Sequence, residues 1–323
     1  MPVHHIAFWN VENLFDIERS PRRSDKLERA IGKELEGWTQ AQLDAKIEQL
    51  ASIVRQLNGG AGPDLLGVCE VENAHVLGLL REALAPLGRD YQIAHADTAD
   101  QRGIDVVFLY DGARYGIREG ETFSHFVMRR TATRDLFQIN LRTKPADRLL
   151  VAIGNHWPSR RGGVFESAAY RAIAGETLAY FHERIREIQG KDVAVIAMGD
   201  FNDEPFDRSL TDYALAERQA QKVRNAQTPR LLNLMWPAVG AAIGTHYFDN
   251  HANVLDQFLI SKGLLTGASD LKVRLDSVRI EQFPEMVSGS DYPNPIHFGR
   301  GEGANLDGFS DHYPISVVID EED

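Results

Sequence analysis

The sequence predicts one α/β domain built on mixed β-sheets, and three observations support this fold class. Apolar segments with strand character are spread over nearly all of the 323 residues. Patterns typical of helices separate some of these segments. Polar side chains stand where several of the segments end, which is where open sheets build their sites. Because the strand segments run through the whole chain, we expect a single domain over residues 1–323 rather than two tandem domains.

The predicted elements follow from apolar periodicity. The strand candidates, in chain order, are 3–9, 65–70, 91–96, 104–110, 134–141, 148–154, 193–199, 254–260 and 313–319. The helix candidates are 39–57, 73–84 and 164–189. The first helix has apolar residues at three- and four-residue spacing from Leu43 to Leu57, with Thr39 as its N-cap. Long irregular stretches at 17–38, 205–252 and 281–310 exceed ordinary loop lengths, and we expect them to form a substrate rim.

The polar residues at strand ends also predict strand direction. Those that follow their strands are Asn10, Glu70, His156, Asp200 and Asn202. Asp311 and His312 instead precede the last strand. If all of them meet at one rim, the last strand runs opposite to the others, and the sheets are mixed. The two-residue period of extended chain places Asp200 and Asn202 on the same side of their strand's end.

Composition limits the class of protein. The chain is 43% hydrophobic and 25% charged, which is ordinary for a globular protein. A net charge of −12 argues against broad electrostatic capture of nucleic acid, although a local basic groove is compatible with it. Cys69 is the single cysteine, so we expect neither an intrachain disulfide nor a thiolate zinc cluster.

The chain also lacks the usual membrane and export patterns. No apolar run approaches the roughly 20 residues of a membrane span, and the N-terminus has no signal-peptide pattern. We therefore expect a cytoplasmic protein without a membrane span. Nothing in the sequence indicates an obligate protein partner.

The predicted rim is rich in oxygen donors. They are the carboxylates of Glu70, Asp200 and Asp311 and the carboxamides of Asn10 and Asn202. Oxygen donors without thiolates suit Mg²⁺ or Mn²⁺ better than zinc.

Two histidines, His156 and His312, add acid–base groups to the same rim. An imidazole near a phosphoryl group can stabilise charge or move a proton. Asp256 is a carboxylate inside an apolar strand candidate, so it needs a partner, and His312 is the natural one. Such a pair would orient the imidazole and favour its protonated form. The combined set suits metal-assisted attack of water on a phosphoester.

Six sequence blocks in order resemble those of the endonuclease/exonuclease/phosphatase superfamily. The blocks are Asn10-Val-Glu12, Gly67-Val-Cys-Glu-Val71, Asn155-His-Trp-Pro-Ser159, Gly199-Asp-Phe-Asn202, Asp256 and Ser310-Asp-His-Tyr-Pro314. Gly-Asp-Phe-Asn or Ser-Asp-His alone is weakly specific. Six blocks in order, most of them at strand ends, form a strong resemblance that covers nearly the whole chain.

The resemblance implies a four-layer α/β sandwich, with two mixed β-sheets flanked by helices. It also implies cleavage of a phosphoester that depends on Mg²⁺, with Mn²⁺ as a substitute. Carried over residue by residue, it makes Glu70 the principal metal ligand, with Asn10 beside it and Asp311 nearby.

The resemblance also implies catalytic roles. Asp200 would position or deprotonate the attacking water, and Asn202 would donate a hydrogen bond on the phosphate side. His312, supported by Asp256, would contact the scissile phosphate. His156 matches a second histidine found in deoxyribonuclease-like members, which points away from the exonuclease III branch.

Some positions depart from the family pattern or have open roles. Gln257-Phe258 stands where many members have Arg-Ile. Asp105 is a candidate to support His156, as a carboxylate does in deoxyribonuclease-like members. Glu12 and Glu72 lie two positions from site residues and are equally consistent with supporting groups and with solvated carboxylates.

Arg102 and Arg160 are the candidate substrate-binding residues, since a guanidinium can fork onto phosphate. For Arg160, a solvated charged loop is an equally good interpretation. We expect the substrate to be a phosphodiester, in DNA or RNA, cleaved by a nuclease-like activity. The alternative is a small or lipid-derived phosphoester. A third hypothesis, an inactive binding module, is disfavoured because all six blocks are intact.

Overall fold

The computed structural model describes residues 2–98, 100, 102–129, 133–289 and 292–322. Its strands are β1 (Val3–Leu14), β2 (Leu65–Val71), β3 (Tyr91–Ala94), β4 (Asp105–Asp111), β5 (Tyr115–His125), β6 (Leu136–Thr143), β7 (Leu149–His156), β8 (Ala194–Asp200), β9 (Ala216–Glu217), β10 (Leu231–Asn233), β11 (His246–Phe248), β12 (His251–Asn253), β13 (Asp256–Ile260), β14 (Leu271–Val273), β15 (Arg279–Ile280) and β16 (Ile315–Glu321). Its α-helices are α1 (Asp25–Ile31), α2 (Gln40–Val54), α3 (Ala74–Ala83), α4 (Val164–Gln189), α5 (Ala220–Asn225) and α6 (Lys262–Thr266).

The strands of the described residues form two seven-stranded sheets and one two-stranded sheet. The first sheet has the order β14–β16–β1–β2–β4–β3, with β15 also paired to β16. The second has the order β5–β6–β7–β8–β13–β10–β9. β1 and β2 are parallel, as are β7 and β8, whereas β16 and β13 run antiparallel to their neighbours β1 and β8. Both large sheets are therefore mixed.

The two large sheets pack face to face, and helices cover their outer faces. Phe8 and Phe108 of the first sheet share a buried cluster with Phe137 and Met198 of the second. On the outside, α2 and α3 pack against β1, β2 and β4 in another buried cluster. Helix α4 covers β7 and β8 on the opposite side. The four-layer sandwich expected from the family resemblance is confirmed.

Helix α2 shows how the sequence pattern produces one of these layers. At its start, the backbone N–H of Thr39 donates to Gln42 Oε1 (3.1 Å), and Leu43 N donates to Thr39 O (3.1 Å). The face toward the sheet buries Leu43, Ile47 and Leu50, as the predicted spacing requires. The same face also buries Lys46, which the pattern of apolar residues did not indicate.

Several elements differ from the sequence prediction. β5 was missed because it is an edge strand, largely exposed between its ends and interrupted by Gly116 and Gly120. The segments 17–38 and 205–252, expected to be irregular, contain α1, α5 and short strands. Segment 281–310 has short helical turns and a bridge between Val287 and Pro295, and its residues 290 and 291 lie outside the described residues. Within the described residues, no helix combines the length and the apolar character needed to cross a bilayer.

Candidate active site

The strand directions bring the predicted residues to one rim. β1, β2, β7 and β8 all end there, with Asn10 and Glu70 at the ends of the first pair and His156 and Asp200 at the ends of the second. β16 runs the other way, as predicted, so that the Asp311–His312 segment enters it at the same rim. β13 also begins there, and Asp256 lies opposite Asp200 in the ladder.

Backbone irregularities mark this end of β1 and β2. The register between the two strands shifts after Asn10, and Glu12 and Asn13 have positive φ angles of 49° and 56°. Glu70 sits at a second register shift with φ 66°. Bulges of this kind re-aim side chains, and non-glycine residues with positive φ cluster at functional sites.

Asp200 is the most densely hydrogen-bonded carboxylate of the rim described above. It accepts from Asn10 Nδ2 (3.1 Å), Asn202 N (2.8 Å) and Asn202 Nδ2 (3.0 Å). The strand ends at Asp200, and Asn202 lies in a turn with φ 52°. The two side chains therefore meet because the chain turns after Asp200. The sequence analysis predicted their proximity but attributed it to the two-residue period of an extended strand, which is wrong. Burial raises the pKa of Asp200 to about 7, against the lowering effects of His312 and of these hydrogen bonds.

His312 is held by Asp256. Its Nδ1 lies 2.6 Å from Asp256 Oδ2, so its Nε2 faces the rim, 4.0 Å from Asp200 Oδ2 and 3.9 Å from Asp311 Oδ1. Burial alone would lower the pKa of His312, but Asp256, Asp311 and Asp200 together raise it well above its usual value. The ring is thus an imidazolium at neutral pH. The sequence suggested that Asp256 is an interior residue of a strand, but it is the first residue of β13.

His156 provides a second imidazole, whose pKa is shifted in the opposite direction from that of His312. Its Nε2 lies 3.7 Å from Glu70 Oε1 and 3.8 Å from Asp200 Oδ2. Burial, followed by the charges of Arg134 and Arg102, lowers the pKa of His156 well below its usual value. The ring is therefore neutral.

The expectation that Asp105 supports His156 is wrong. Asp105 instead hydrogen-bonds His95 Nε2 (3.1 Å) and accepts from Thr98 Oγ1 (2.7 Å). His156 Nδ1 has no hydrogen-bond partner among the described residues. The register shift between Cys69 and Val71 changes the pairing at the start of β4, so that Asp105 lies opposite Val71.

The three predicted metal ligands are Glu70, Asn10 and Asp311, and they do not all belong to one group of neighbouring ligand atoms. Glu70 Oε2 accepts from Asn13 N (2.9 Å). Asn10 Oδ1 accepts from Glu12 N (3.1 Å) while its Nδ2 reaches Asp200. Asp311 belongs to two groups of potential ligands whose atoms lie within 4.8 Å of one another: Glu12, His297 and Asp311, and His246, Asp311 and His312. These hard oxygen donors fit Mg²⁺ or Mn²⁺, and the imidazoles at their edge are acceptable to Mn²⁺.

The sequence analysis did not identify His246, and it placed His297 in the 281–310 rim segment without a role as a ligand. His246 pairs with His312 through a β-bridge, and the two ring centroids are 4.7 Å apart. His297 Nδ1 lies 3.7 Å from Glu12 Oε1. Neither histidine stands at a long strand's end, so the pattern that revealed the other residues did not apply. Their location within 205–252 and 281–310, the stretches predicted to form the rim, was the available indication.

The two predicted substrate-binding arginines have protein partners. Arg160 Nη2 lies 2.7 Å from Asp207 Oδ2 and 3.2 Å from Asp203 Oδ1, and its Nε donates to Asn202 O (2.7 Å). Arg102 Nη2 donates to Oδ1 of Asn13 (2.5 Å), the same residue whose backbone N–H donates to Glu70. Both arginines adjoin the site, and their binding of phosphate stays a prediction.

Comparisons with known proteins bear on the family and on the fold. A model of the Endonuclease/Exonuclease/phosphatase family matches residues 5–321. The human Nocturnin catalytic domain is similar in structure, with a TM-score of 0.57, 18% identity, and coverage of 99% of this chain and 94% of that one. Truncated Caenorhabditis elegans TDP2 has a TM-score of 0.56, 15% identity, and coverage of 98% and 97%. A mannosyl-6-phosphatase from Bacteroides thetaiotaomicron has a TM-score of 0.57, 16% identity, and coverage of 98% and 99%. Curated proteins yield no match.

Proposed function

Because the chain belongs to the endonuclease/exonuclease/phosphatase family, we propose that it is a divalent-metal-dependent hydrolase of phosphoesters. The observation that carries the proposal is the environment of Asp200. Its carboxylate is buried and has a pKa of about 7, and its Oδ2 lies 4.0 Å from His312 Nε2. A proton acceptor poised near neutral pH beside a buried cation suits water attack on phosphorus, in which one proton leaves and negative charge develops.

Each residue then has a role in the proposed reaction. Asp200 takes the proton of the attacking water as the new P–O bond forms, and the His312 imidazolium stabilises charge on the phosphoryl oxygens. The P–O bond to the leaving group then breaks, and the leaving oxygen takes a proton from solvent. Asn202 Nδ2 donates to both Asp200 Oδ2 and Trp157 O, which uses both amide hydrogens. We therefore assign Asn202 to orienting Asp200 rather than to binding phosphate. His156, neutral and close to Glu70, supplies a hydrogen bond to the substrate.

A bound Mg²⁺ or Mn²⁺ would polarise the phosphoryl oxygen as a Lewis acid. Glu70, Asn10 and Asp311 would hold it, and Glu12 lies close to Asp311 as a further carboxylate.

Replacing an anionic oxygen ligand with a neutral amide should weaken the binding of a hard cation. We expect Glu70→Gln to weaken Mn²⁺ binding more than Glu72→Gln does, as measured by titration calorimetry. Glu72 is a suitable control because its carboxylate pairs with Arg23 (2.8 Å) and belongs to none of the groups of potential ligands found among the described residues. Equal affinities in the two variants would remove Glu70 as principal ligand.

We propose a phosphodiester, in DNA or RNA, as the substrate. The pair of histidines supports this choice, since one is neutral and the other cationic. The net charge of −12 favours the second candidate, a small or lipid-derived phosphoester, and one structurally similar protein is named a mannosyl-6-phosphatase. The cytoplasmic location and the absence of an obligate protein partner stay predictions from the sequence.

A substrate panel tests the proposal. We expect purified protein to hydrolyse a generic phosphodiester with Mg²⁺ or Mn²⁺, to lose turnover in excess chelator, and to recover when metal is restored. The panel adds plasmid DNA, abasic duplex, RNA, inositol phosphates, sphingomyelin and sugar phosphates. Turnover of nucleic acid alone favours the nuclease, and turnover of the small or lipid esters alone favours the second candidate. Full activity in chelator contradicts metal dependence, and metal binding without any turnover indicates an inactive module.

A further inference from the structure

Lys46 is a lysine with no exposed surface beneath the metal-binding end of the site. It projects from the face of α2 that also buries Leu43, Ile47 and Leu50. Burial of an ammonium group is costly and needs compensation from neighbouring groups. The proposed reaction gives this side chain no role, so its cost requires another explanation.

The contacts of Lys46 join two segments of the site. Its Nζ donates to Phe309 O (2.6 Å), two residues before Asp311. Its Nζ also lies 4.8 Å from the centroid of the Phe298 ring. The backbone N–H of Phe298 in turn donates to Glu12 Oε2 (3.0 Å). The ammonium is therefore placed between the backbone that anchors Glu12 and the backbone that leads to Asp311.

The charges around Lys46 match this position. Burial lowers the pKa of Lys46 to about 8, while Glu12, Asp311 and Glu70 oppose the change. At pH 7 the Lys46 side chain is thus mostly in its protonated ammonium form. The lysine and the carboxylates consequently stabilise one another's charged forms.

We propose that Lys46 is an internal counter-cation of the metal site, whose ammonium balances Glu12 and Asp311 before a metal binds and thereby weakens the binding of a divalent cation. The inference rests on the proposed function only in assuming that these carboxylates bind metal. Removing the ammonium should have two effects of opposite sign. The metal-free protein should be less stable, because carboxylates would face one another without a cation. Divalent metal should bind more tightly, because a like charge near it is lost.

Two variants separate charge from the other contributions of the side chain. Lys46→Met keeps an unbranched apolar stem, and Lys46→Gln keeps a donor toward Phe309 O without a charge. We expect the Mn²⁺ dissociation constant to fall roughly tenfold in both, as titration calorimetry at pH 7 without substrate would measure. Melting in chelator should occur at a lower temperature than in wild type, and Mn²⁺ should raise it more. Lys191→Met removes an exposed lysine and is the matched control, with Mn²⁺ binding unchanged.

The contrary results are distinct from failure of the proposed function. If Lys46 only tethers Phe309, Lys46→Met should bind Mn²⁺ more weakly and Lys46→Gln should restore wild-type affinity. Either unchanged or weaker binding in both variants overturns the inference. A variant that folds only with Mn²⁺ supports it, whereas failure of both to fold even with Mn²⁺ overturns it, since metal would then not replace the ammonium. If wild-type protein shows no saturable Mn²⁺ binding, the metal-dependent function itself fails, and the inference with it.

Discussion

Replacing Asp200 by Asn is expected to lower the rate of phosphoester hydrolysis by at least about 10²-fold, the scale of losing a positioned general base. The variant removes the carboxylate that we propose takes the water's proton. It also replaces one carboxylate oxygen with an amide NH₂. Because each oxygen now accepts at least one N–H, from Asn10 or Asn202, at least one donor must turn away or remain unpaired. The measurement is steady-state turnover of the best substrate from the panel at saturating Mg²⁺.

A matched control distinguishes lost chemistry from lost stability. Asp64 is also a buried carboxylate, and it accepts from His5 N (2.7 Å) at the opposite end of β1 and β2. Asp64→Asn should lower the melting temperature while leaving the rate per folded molecule unchanged. Asp200→Asn should show the reverse pattern, with a large rate loss and a similar circular dichroism spectrum. A rate loss in Asp200→Asn that follows unfolding would indicate a purely structural carboxylate.

Much of the site followed from the sequence because strand ends are local features. The apolar run ending at Asp200 and the one ending at Glu70 each identify a buried strand and the polar group beyond it. Their meeting at one rim required only that the strands be parallel where expected and that the last strand be reversed, and the structure has both. The same reasoning paired Asp256 with His312, because a buried carboxylate needs a partner.

The remaining features depend on contacts that no local pattern encodes. Asp105 was matched to the wrong histidine because a single extra residue in β2 changes which side chain faces which neighbour. His246 entered the site through a three-residue strand that carries no apolar periodicity. Nothing in the sequence around Lys46 distinguishes it from an exposed lysine on an amphipathic helix. Its burial near Glu12 and Asp311 becomes visible only in the fold. Each of these required the three-dimensional arrangement of distant segments.

Asp256 and His312 are expected to act as one unit. The carboxylate is fully buried, its Oδ2 lies 2.6 Å from His312 Nδ1, and its Oδ1 has no hydrogen-bond partner among the described residues. We expect His312→Ala to lower the rate by about 10²-fold or more, and Asp256→Asn by a smaller factor. The double variant should be little worse than His312→Ala alone, because coupled residues are non-additive. Losses that multiply in the double variant would show that the two residues act independently.

The pH–rate profile of Asp256→Asn provides a second test of the same unit. In wild type, burial lowers the His312 pKa, but the carboxylates, Asp256 foremost, raise it well above its usual value. Removing the Asp256 charge leaves burial less opposed, so the pKa of His312 should fall and the imidazolium should lose its proton at lower pH. If the imidazolium is the active form, the high-pH limb of the profile moves to lower pH in Asp256→Asn. His312→Ala should lack this limb altogether, with or without the Asp256 change. An unshifted limb in Asp256→Asn, at matched circular dichroism and melting temperature, would show that Asp256 does not act on the rate through the charge of His312.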